Sequence, residues 1–313
     1  MPLWQQCFFI KLHFMKKIFL PVVTLLFATF NIAAQDAAVK NLQSAATKEV
    51  KSAEKDGWKR SGTLIINLNQ GSLSNWAAGG EQNTLGINGI FNYGINFRKG
   101  KNTWDNYFNL ALGFQNASSY SKFRKTDDLI DITSKYGYQV SKKWYAATLI
   151  NFNSQALEGF AYTDTVNTKI SNFLAPGKLL VSLGMDYRPN DHFSLFMSPI
   201  TTRWLFKKDP DFYALDKFGV PAFKKSYNEI GAYITAKYNV PLSKWATYAA
   251  RLDFFSNYQR KPQNVDVYMT NLLAMKFNTW LGTTVSIDMI YDDDVIKKTQ
   301  LKEILGIGLT LKL

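Results

Sequence analysis

Cysteine and histidine are almost missing from these 313 residues: the only cysteine is Cys7 and the only histidines are His13 and His192. That scarcity removes the ligands of structural zinc, iron–sulfur and c-type haem sites. It also removes the thiol nucleophile and any disulfide framework. No glycine period, sustained heptad or single-residue tract is present, which excludes collagen, coiled coil and low-complexity chains. Charged residues make up 19% and apolar ones 46%, a balance that argues against disorder. Past residue 30 no apolar run reaches the ~18 residues a spanning helix needs. Two classes survive: a secreted soluble β protein, or a transmembrane β-barrel, whose alternating strands escape hydropathy. What is abundant is aromatic: 23 Phe, 16 Tyr and 8 Trp, residues that suit pleated surfaces.

The N-terminus has the layout of an export signal. Lys16 and Lys17 precede the apolar run 18–30, and Asn31-Ile32-Ala33-Ala34-Gln35 supplies small residues before a polar start. Residues 1–35 are therefore expected to be a cleaved signal peptide, with Met15 the natural start. Residues 36–57, with Ala37, Val39, Leu42, Ala46, Val50 and Ala53 at near-helical spacing, form a weakly amphipathic periplasmic leader. Residues 58–313 remain for the folded domain. The signal holds Lys11, Lys16 and Lys17 and no acid, so about +10 of the formal +13 stays with the exported part. Export disfavours nucleic acid as the partner of that charge and favours anionic outer-membrane lipid and lipopolysaccharide.

Alternation sets the class. Between 84 and 98, Leu85, Ile87, Phe91, Tyr93, Ile95 and Phe97 share one parity, while Asn88, Asn92, Asn96 and Arg98 share the other. Such a segment lies between oil and water, and it is long enough to cross a bilayer at a tilt. The pattern recurs, and the last residues put Leu305, Ile307, Leu309, Leu311 and Leu313 on one face. Twelve strands are expected, at 60–73, 83–98, 103–117, 129–140, 144–155, 178–188, 193–206, 226–240, 245–258, 265–278, 280–292 and 301–313. Links after even strands are short; those after odd strands, at 74–82, 118–128, 156–177, 207–225, 259–264 and 293–300, are longer. Short periplasmic turns opposite longer outer loops mark an all-β transmembrane antiparallel up-and-down barrel. Trp58, Trp76, Trp104, Trp144, Trp204, Trp245 and Trp280 fall near strand ends, as interfacial girdles do.

The segment Gly57-Trp58-Lys59, followed by Asn69-Gln70-Gly71-Ser72-Leu73-Ser74-Asn75-Trp76-Ala77-Ala78-Gly79-Gly80-Glu81-Gln82-Asn83, resembles the Bacteroidota outer-membrane β-barrel family catalogued as domain of unknown function 3078. The resemblance spans 57–313 and is strongest before residue 120. It implies an outer-membrane barrel and carries no activity, cofactor or catalytic residue. Within its motif, Trp76 can sit at the interface, and Gly79 and Gly80 permit the positive φ of a tight loop.

Catalytic chemistry finds little footing. Outer-membrane Ser/His or Asp/His hydrolases need a histidine near the outer rim, and His192 lies in the short turn Pro189-Asn190-Asp191-His192. Asp292, Asp293 and Asp294 offer oxygen ligands to a hard cation without EF-hand spacing. No cofactor or metal is expected. Lys122-Phe123-Arg124-Lys125 and Lys207-Lys208 are outer cations able to meet lipopolysaccharide phosphates. Parity directs Asn88, Asn92, Asp105, Asp131, Lys135, Asp186, Arg188, Glu229, Lys237, Arg251, Asp253, Lys276 and Asp288 into the lumen, a mixture of signs unlike a one-sign selectivity ring. Tyr107, Tyr145 and Leu180 share that parity and narrow the lumen. Three readings stand: a small porin-like channel or uptake barrel for polar solutes; a non-conducting accessory barrel partnering a larger outer-membrane complex; and, third, an enzyme. Loops 156–177 and 207–225, rich in Phe and Tyr, are expected to pack together as a partial lid.

Overall fold

The computed structural model describes residues 56–72, 83–162, 166–278, 281–292 and 296–312. The signal 1–35, the leader up to 55, and Trp76, Gly79 and Gly80 lie outside the described residues. Twelve strands close into one antiparallel barrel. They are β1 (Gly57–Ser72), β2 (Asn83–Lys99), β3 (Asn102–Ala117), β4 (Tyr120–Ser141), β5 (Trp144–Ser154), β8 (Gly177–Asn190), β9 (Phe193–Phe206), β10 (Ser226–Pro241), β11 (Ala246–Asn257), β12 (Val265–Lys276), β13 (Leu281–Asp292) and β14 (Ile296–Lys312). Two more, β6 (Gly159–Tyr162) and β7 (Asn167–Ser171), form a separate hairpin in the connection between β5 and β8. Each barrel strand pairs with its sequence neighbour, β5 pairs directly with β8, and β1 meets β14 to close the ring. No helix among the described residues is long and apolar enough to cross a membrane.

The expected count of twelve strands holds, but the alternation of short and long connections has exceptions. β4 starts at Tyr120, so 118–128 is not an open loop; Ser118 and Ser119 make a tight turn. Pairing with β3 continues to Ala117–Tyr120 across two register shifts. Apart from Tyr120 and Phe123 these residues are polar, so alternation does not mark them as strand. Between β13 and β14 only 293–295 intervene.

Polarity is inverted relative to a soluble sandwich. Leu85, Ile87, Leu110, Leu112, Leu183, Ile200 and Ile307 point outward and are exposed. Asp105, Asp131 and Asp186, on the inner face, are each at most 1% exposed. Cross-strand partners confirm the faces: Phe91 opposes Leu110 on the outside, and Asn92 opposes Asn109 on the inside. An apolar outside around a polar inside suits oil as the outer solvent. At the short-turn end Trp58, Trp104, Trp144 and Trp245 are all exposed. Trp58 lies 5.8 Å from Trp104 and 5.0 Å from Phe97 between ring centroids, and Trp144 4.8 Å from Tyr187. Such an aromatic belt favours headgroup depth.

Candidate functional site

The interior is organised in three levels. Nearest the short turns, Asp105 on β3 forms an ion pair with Arg98 of β2 at 2.5 Å and accepts from Arg188 of β8 at 3.5 Å. Asp186 accepts from Arg188 at 2.6 Å and from Lys135 of β4 at 2.9 Å. Arg188 also lies 4.8 Å from the Tyr145 ring centroid. The network ties β2, β3, β4 and β8 from within. Buried ions this closely paired offset part of their desolvation, and removing one partner leaves a costly remainder.

In the middle, Arg251 meets Asp253 at 2.7 Å and donates to the Tyr233 hydroxyl at 3.0 Å; that hydroxyl donates to Asp253 at 3.1 Å. Asp131 accepts from Asn151 and Asn153, and the charges of Arg251 and Lys237 reach it from the far wall. Lys237 Nζ sits 5.7 Å from the Tyr107 ring centroid. Ala147, Leu149, Phe196, Tyr233 and Phe255 form a buried cluster here, with Leu180 packed against it. On the inward faces of β1 and β2, Thr63, Ile65, Asn88, Ile90 and Asn92 are partly exposed, while Asn67, Asn96 and Arg98 are buried.

At the long-loop end, Arg203 holds Glu229 at 2.5 Å and Asp266 at 2.9 Å, with its guanidinium 3.9 Å from the Phe255 ring centroid. Tyr268 donates to Asp292 at 2.8 Å, and Lys178 Nζ stands 5.6 Å from the Tyr268 ring centroid. Asn88 donates to Asp127 at 2.9 Å. Asp288 is fully buried opposite Thr270. Lys276, also on the inner parity, ends β12 exposed at the short-turn rim. Sequence parity overlooked Arg203 for a physical reason. Ser194, Phe196 and Ser198 of β9 face inward, and after the irregular pairing around Pro199 the inward set becomes Thr201, Arg203 and Leu205. Unbroken alternation sends Arg203 outward. Lys178, Asp266 and Asp127 were visible to parity and passed over near strand ends.

A cap covers the long-loop end. Lys169 of β7 bonds Glu158 at 2.8 Å and both Asp209 and Asp211 at 2.9 Å. Asn172 donates to Asp209 at 2.6 Å, and Lys217 Nζ donates to the Ile170 carbonyl at 3.0 Å. The described parts of segments 156–176 and 207–225 are thus tied together as expected, but through these polar contacts; the aromatic pairs Phe160–Tyr162, Phe212–Phe218 and Tyr213–Phe223 lie within each segment. Arg124, at the tip of the β3–β4 hairpin, lies between the rings of Tyr120 and Tyr162, at 3.7 and 4.2 Å. Buried Lys207 donates to the carbonyls of Leu215, Val220 and Pro221. Gly219, at φ +73°, rests on inward-facing Leu205, whose Cδ1 is 2.7 Å from where a Cβ would stand. The cap thus dips onto the barrel mouth. Hydrogen bonds to Asp211, Glu158 and Asp209 hold the Lys169 ammonium above the usual lysine range. Burial pushes the Asp209 carboxyl up, but bonds from Lys169, Asn172 and the Asp211 amide outweigh it and hold it below the usual carboxylate range.

His192 sits exposed in its turn with Nδ1 2.9 Å from the Asn239 carbonyl, at the end opposite the cap. No group of three or more acidic, His or Cys residues suited to a metal ion occurs among the described residues.

A closed twelve-stranded antiparallel ring with an apolar outside and a charged inside defines a transmembrane β-barrel. Within it, residues 68–160 match the model of a family described as protein of unknown function (DUF3078). That match is narrower than the 57–313 over which the sequence resembles the family. No curated protein matches the chain in sequence. Among solved structures, the translocator domain of the autotransporter NalP from Neisseria meningitidis is 12% identical, covering 83% of this chain and 89% of its own, at a TM-score of 0.38. An outer membrane channel from Pseudomonas putida F1 is 9% identical over 84% and 96%, at 0.39. An outer membrane phospholipase dimer with bound calcium from Salmonella typhi is 12% identical over 88% and 98%, at 0.37. At TM-scores below 0.5 these likenesses carry no argument about what the barrel does.

Proposed function

We propose that this is an outer-membrane barrel, exported through a cleaved signal peptide, that takes small polar solutes into its interior from the capped side. The observation that supports it is the pair of partly exposed inward asparagines of β2, Asn88 and Asn92, in a barrel whose interior is otherwise lined by the charged residues of β3–β13. Surrounding lipid and lipopolysaccharide are its expected contacts. The outer cations suited to phosphate are fewer than the sequence suggests: Arg124 is held between tyrosines, Lys125 is bound to Asp128 and Lys207 is buried, leaving Lys122 and Lys208 exposed.

Planar-bilayer recording of the purified chain in KCl tests the proposal. Discrete steps are expected, larger after deletion of residues 160–172 from the cap. A second reading, a non-conducting barrel that partners a larger membrane assembly, is favoured by the buried Phe196–Tyr233–Phe255 cluster and the Lys237–Tyr107 contact. Silence from the full chain, the cap deletion and a Phe196→Ala variant alike would establish that second reading. Recovery of the protein in the soluble periplasmic fraction would sink both.

A further inference from the structure

The outer face of the last three strands carries a polar row in the middle of its apolar band. In register, Met269 of β12 opposes Met289 of β13, which opposes Leu301 of β14. Two residues nearer the short turns, Asn271 opposes Ile287, which opposes Glu303. Two further on, Leu273 opposes Val285, which opposes Leu305. These positions share the lipid-facing parity: Ile287 and Leu301 are exposed, while Asp288, next to Ile287, belongs to the inner face and is fully buried. Ile287 stands six residues from Leu281 and five from Asp292, in the middle of its strand. A carboxamide and a carboxylate position therefore sit at mid-depth, with apolar residues above and below on each strand.

Lipid tails offer no hydrogen bond and no screening, so a polar or ionisable group at that depth is costly on a lone barrel and points to a protein contact. Headgroup depth does not account for the row. The outer-face chain of Trp104, Ser134 and Asn106 is also polar, but it lies at the aromatic belt, where water reaches. Within the wall Asn271 is only partly served. Tyr248 donates to its Oδ1 at 2.6 Å, and its Nδ2 donates to the Ile287 carbonyl at 3.4 Å, which uses one of its two N–H groups.

The row is self-complementary. Its donor and acceptor positions stand two strands apart, about 10 Å at the usual strand spacing, with Ile287 between them. A two-fold axis along the membrane normal at Ile287 sets the amide side of one copy against the carboxyl side of the other, as an isologous contact requires. Met269 and Met289 beside the row are unbranched side chains that adapt to a facing surface.

We propose that the outer face of β12–β14 docks a second copy of this chain, Asn271 of each copy donating to Glu303 of the partner subunit. Polar contacts of this kind drive association in lipid, where apolar burial gains nothing over the tails. The second copy also covers the wall beside the β1–β14 joint, which runs, among the described residues, only from Thr63–Lys312 to Asn67–Gly308. The proposal stands whether or not the lumen conducts.

The test is disulfide trapping of the full chain in outer membranes. The only cysteine, Cys7, lies in the expected signal peptide, so introduced cysteines report without background. Ile287→Cys, next to the axis, is expected to give a disulfide-linked dimer on oxidation. Ile150→Cys, exposed on β5 six places away around the ring, should give about tenfold less or lower. Adding Glu303→Leu or Asn271→Leu to Ile287→Cys should cut the dimer about tenfold, while Glu303→Gln, which keeps a hydrogen-bonding side chain, retains it. Heat-modifiable migration on gels verifies that each variant is folded. Equal trapping at positions 287 and 150 would mean random collision and overturns the proposal. So does the absence of dimer from Ile287→Cys, its capture of a different protein instead, or trapping that Glu303→Leu leaves unchanged.

Discussion

Lys237 Nζ lies 5.7 Å from the centroid of the Tyr107 ring, although β10 and β3 stand five places apart in the ring of twelve strands. Two nearly opposite walls therefore meet through one ammonium and one aromatic face, a desolvated cation–π contact. Shortening either side chain removes this bridge across the lumen. Tyr107→Ala is expected to raise single-channel conductance measurably in KCl, while Tyr136→Ala, on the outer face of the next strand, leaves it unchanged. Equal conductance in both variants would place the constriction elsewhere.

The lipid face is open to direct test. Phe91 and Leu110 oppose each other outside the barrel. Replacing either by Arg should cost roughly 2–4 kcal/mol at mid-membrane, and Asn92→Arg, on the inner face, far less. Urea titration of protein folded into vesicles gives the comparison.

Asp186 is fully buried between Lys135 and Arg188. Asp186→Ala takes a carboxylate away from two buried cations, Lys135 and Arg188, and should destabilise the barrel by about 3–5 kcal/mol. A loss below about 1 kcal/mol in the same titration would show that water already screens the network.

The cap answers to pH through Asp209 and Lys169. Asp209 has a folded pKa below its unfolded value of ~3.9, so its contribution is whole above that value and is lost as pH falls through the lower folded one. Lys169 has a folded pKa above its unfolded ~10.4, so its contribution is whole below that and is lost as pH rises through the higher one. The cap should stay docked across the neutral range and loosen in strong acid. Pepsin at about pH 2 should cut within 156–176 before any barrel strand, and Lys169→Met should bring trypsin cleavage of the same segment at pH 7.

Glycine 231 tests close packing within the wall. A Cβ there would stand 2.0 Å from the Ser256 carbonyl oxygen of the neighbouring strand. Gly231→Ala must push β10 and β11 apart, at an expected cost of about 1–3 kcal/mol, read as a lower temperature of gel-mobility conversion.

Strands between oil and water announced themselves in the sequence because each residue had to satisfy one solvent or the other. That is why β2 and β3 match alternation closely. Where the chain leaves the apolar band the rule lapses. Tyr120–Asp128 are mostly polar with no alternation yet extended, and Phe160–Tyr162 pair with Asn167–Lys169 without a repeating face. The inward position of most charged residues was legible, since parity is local. Their partners were not. Arg188 reaches Asp105 from a strand three places away, a meeting fixed by strand tilt and ring closure, which no local pattern encodes. Lys169 likewise gathers acids from positions 158, 209 and 211.

The joint between first and last strands has a mechanical meaning. β1 holds β2 along its whole length, from Gly57–Arg98 to Ser72–Asn83. Against β14 its register runs, among the described residues, only from Thr63–Lys312 to Asn67–Gly308. Every other joint is formed by strands close in sequence, but this one must wait until the first and last strands are both in place. The circle is thus fastened last at its shortest clasp. Force or chaperoning applied to the wall would part it there, between Ile66 and Leu309, before any hairpin gives way.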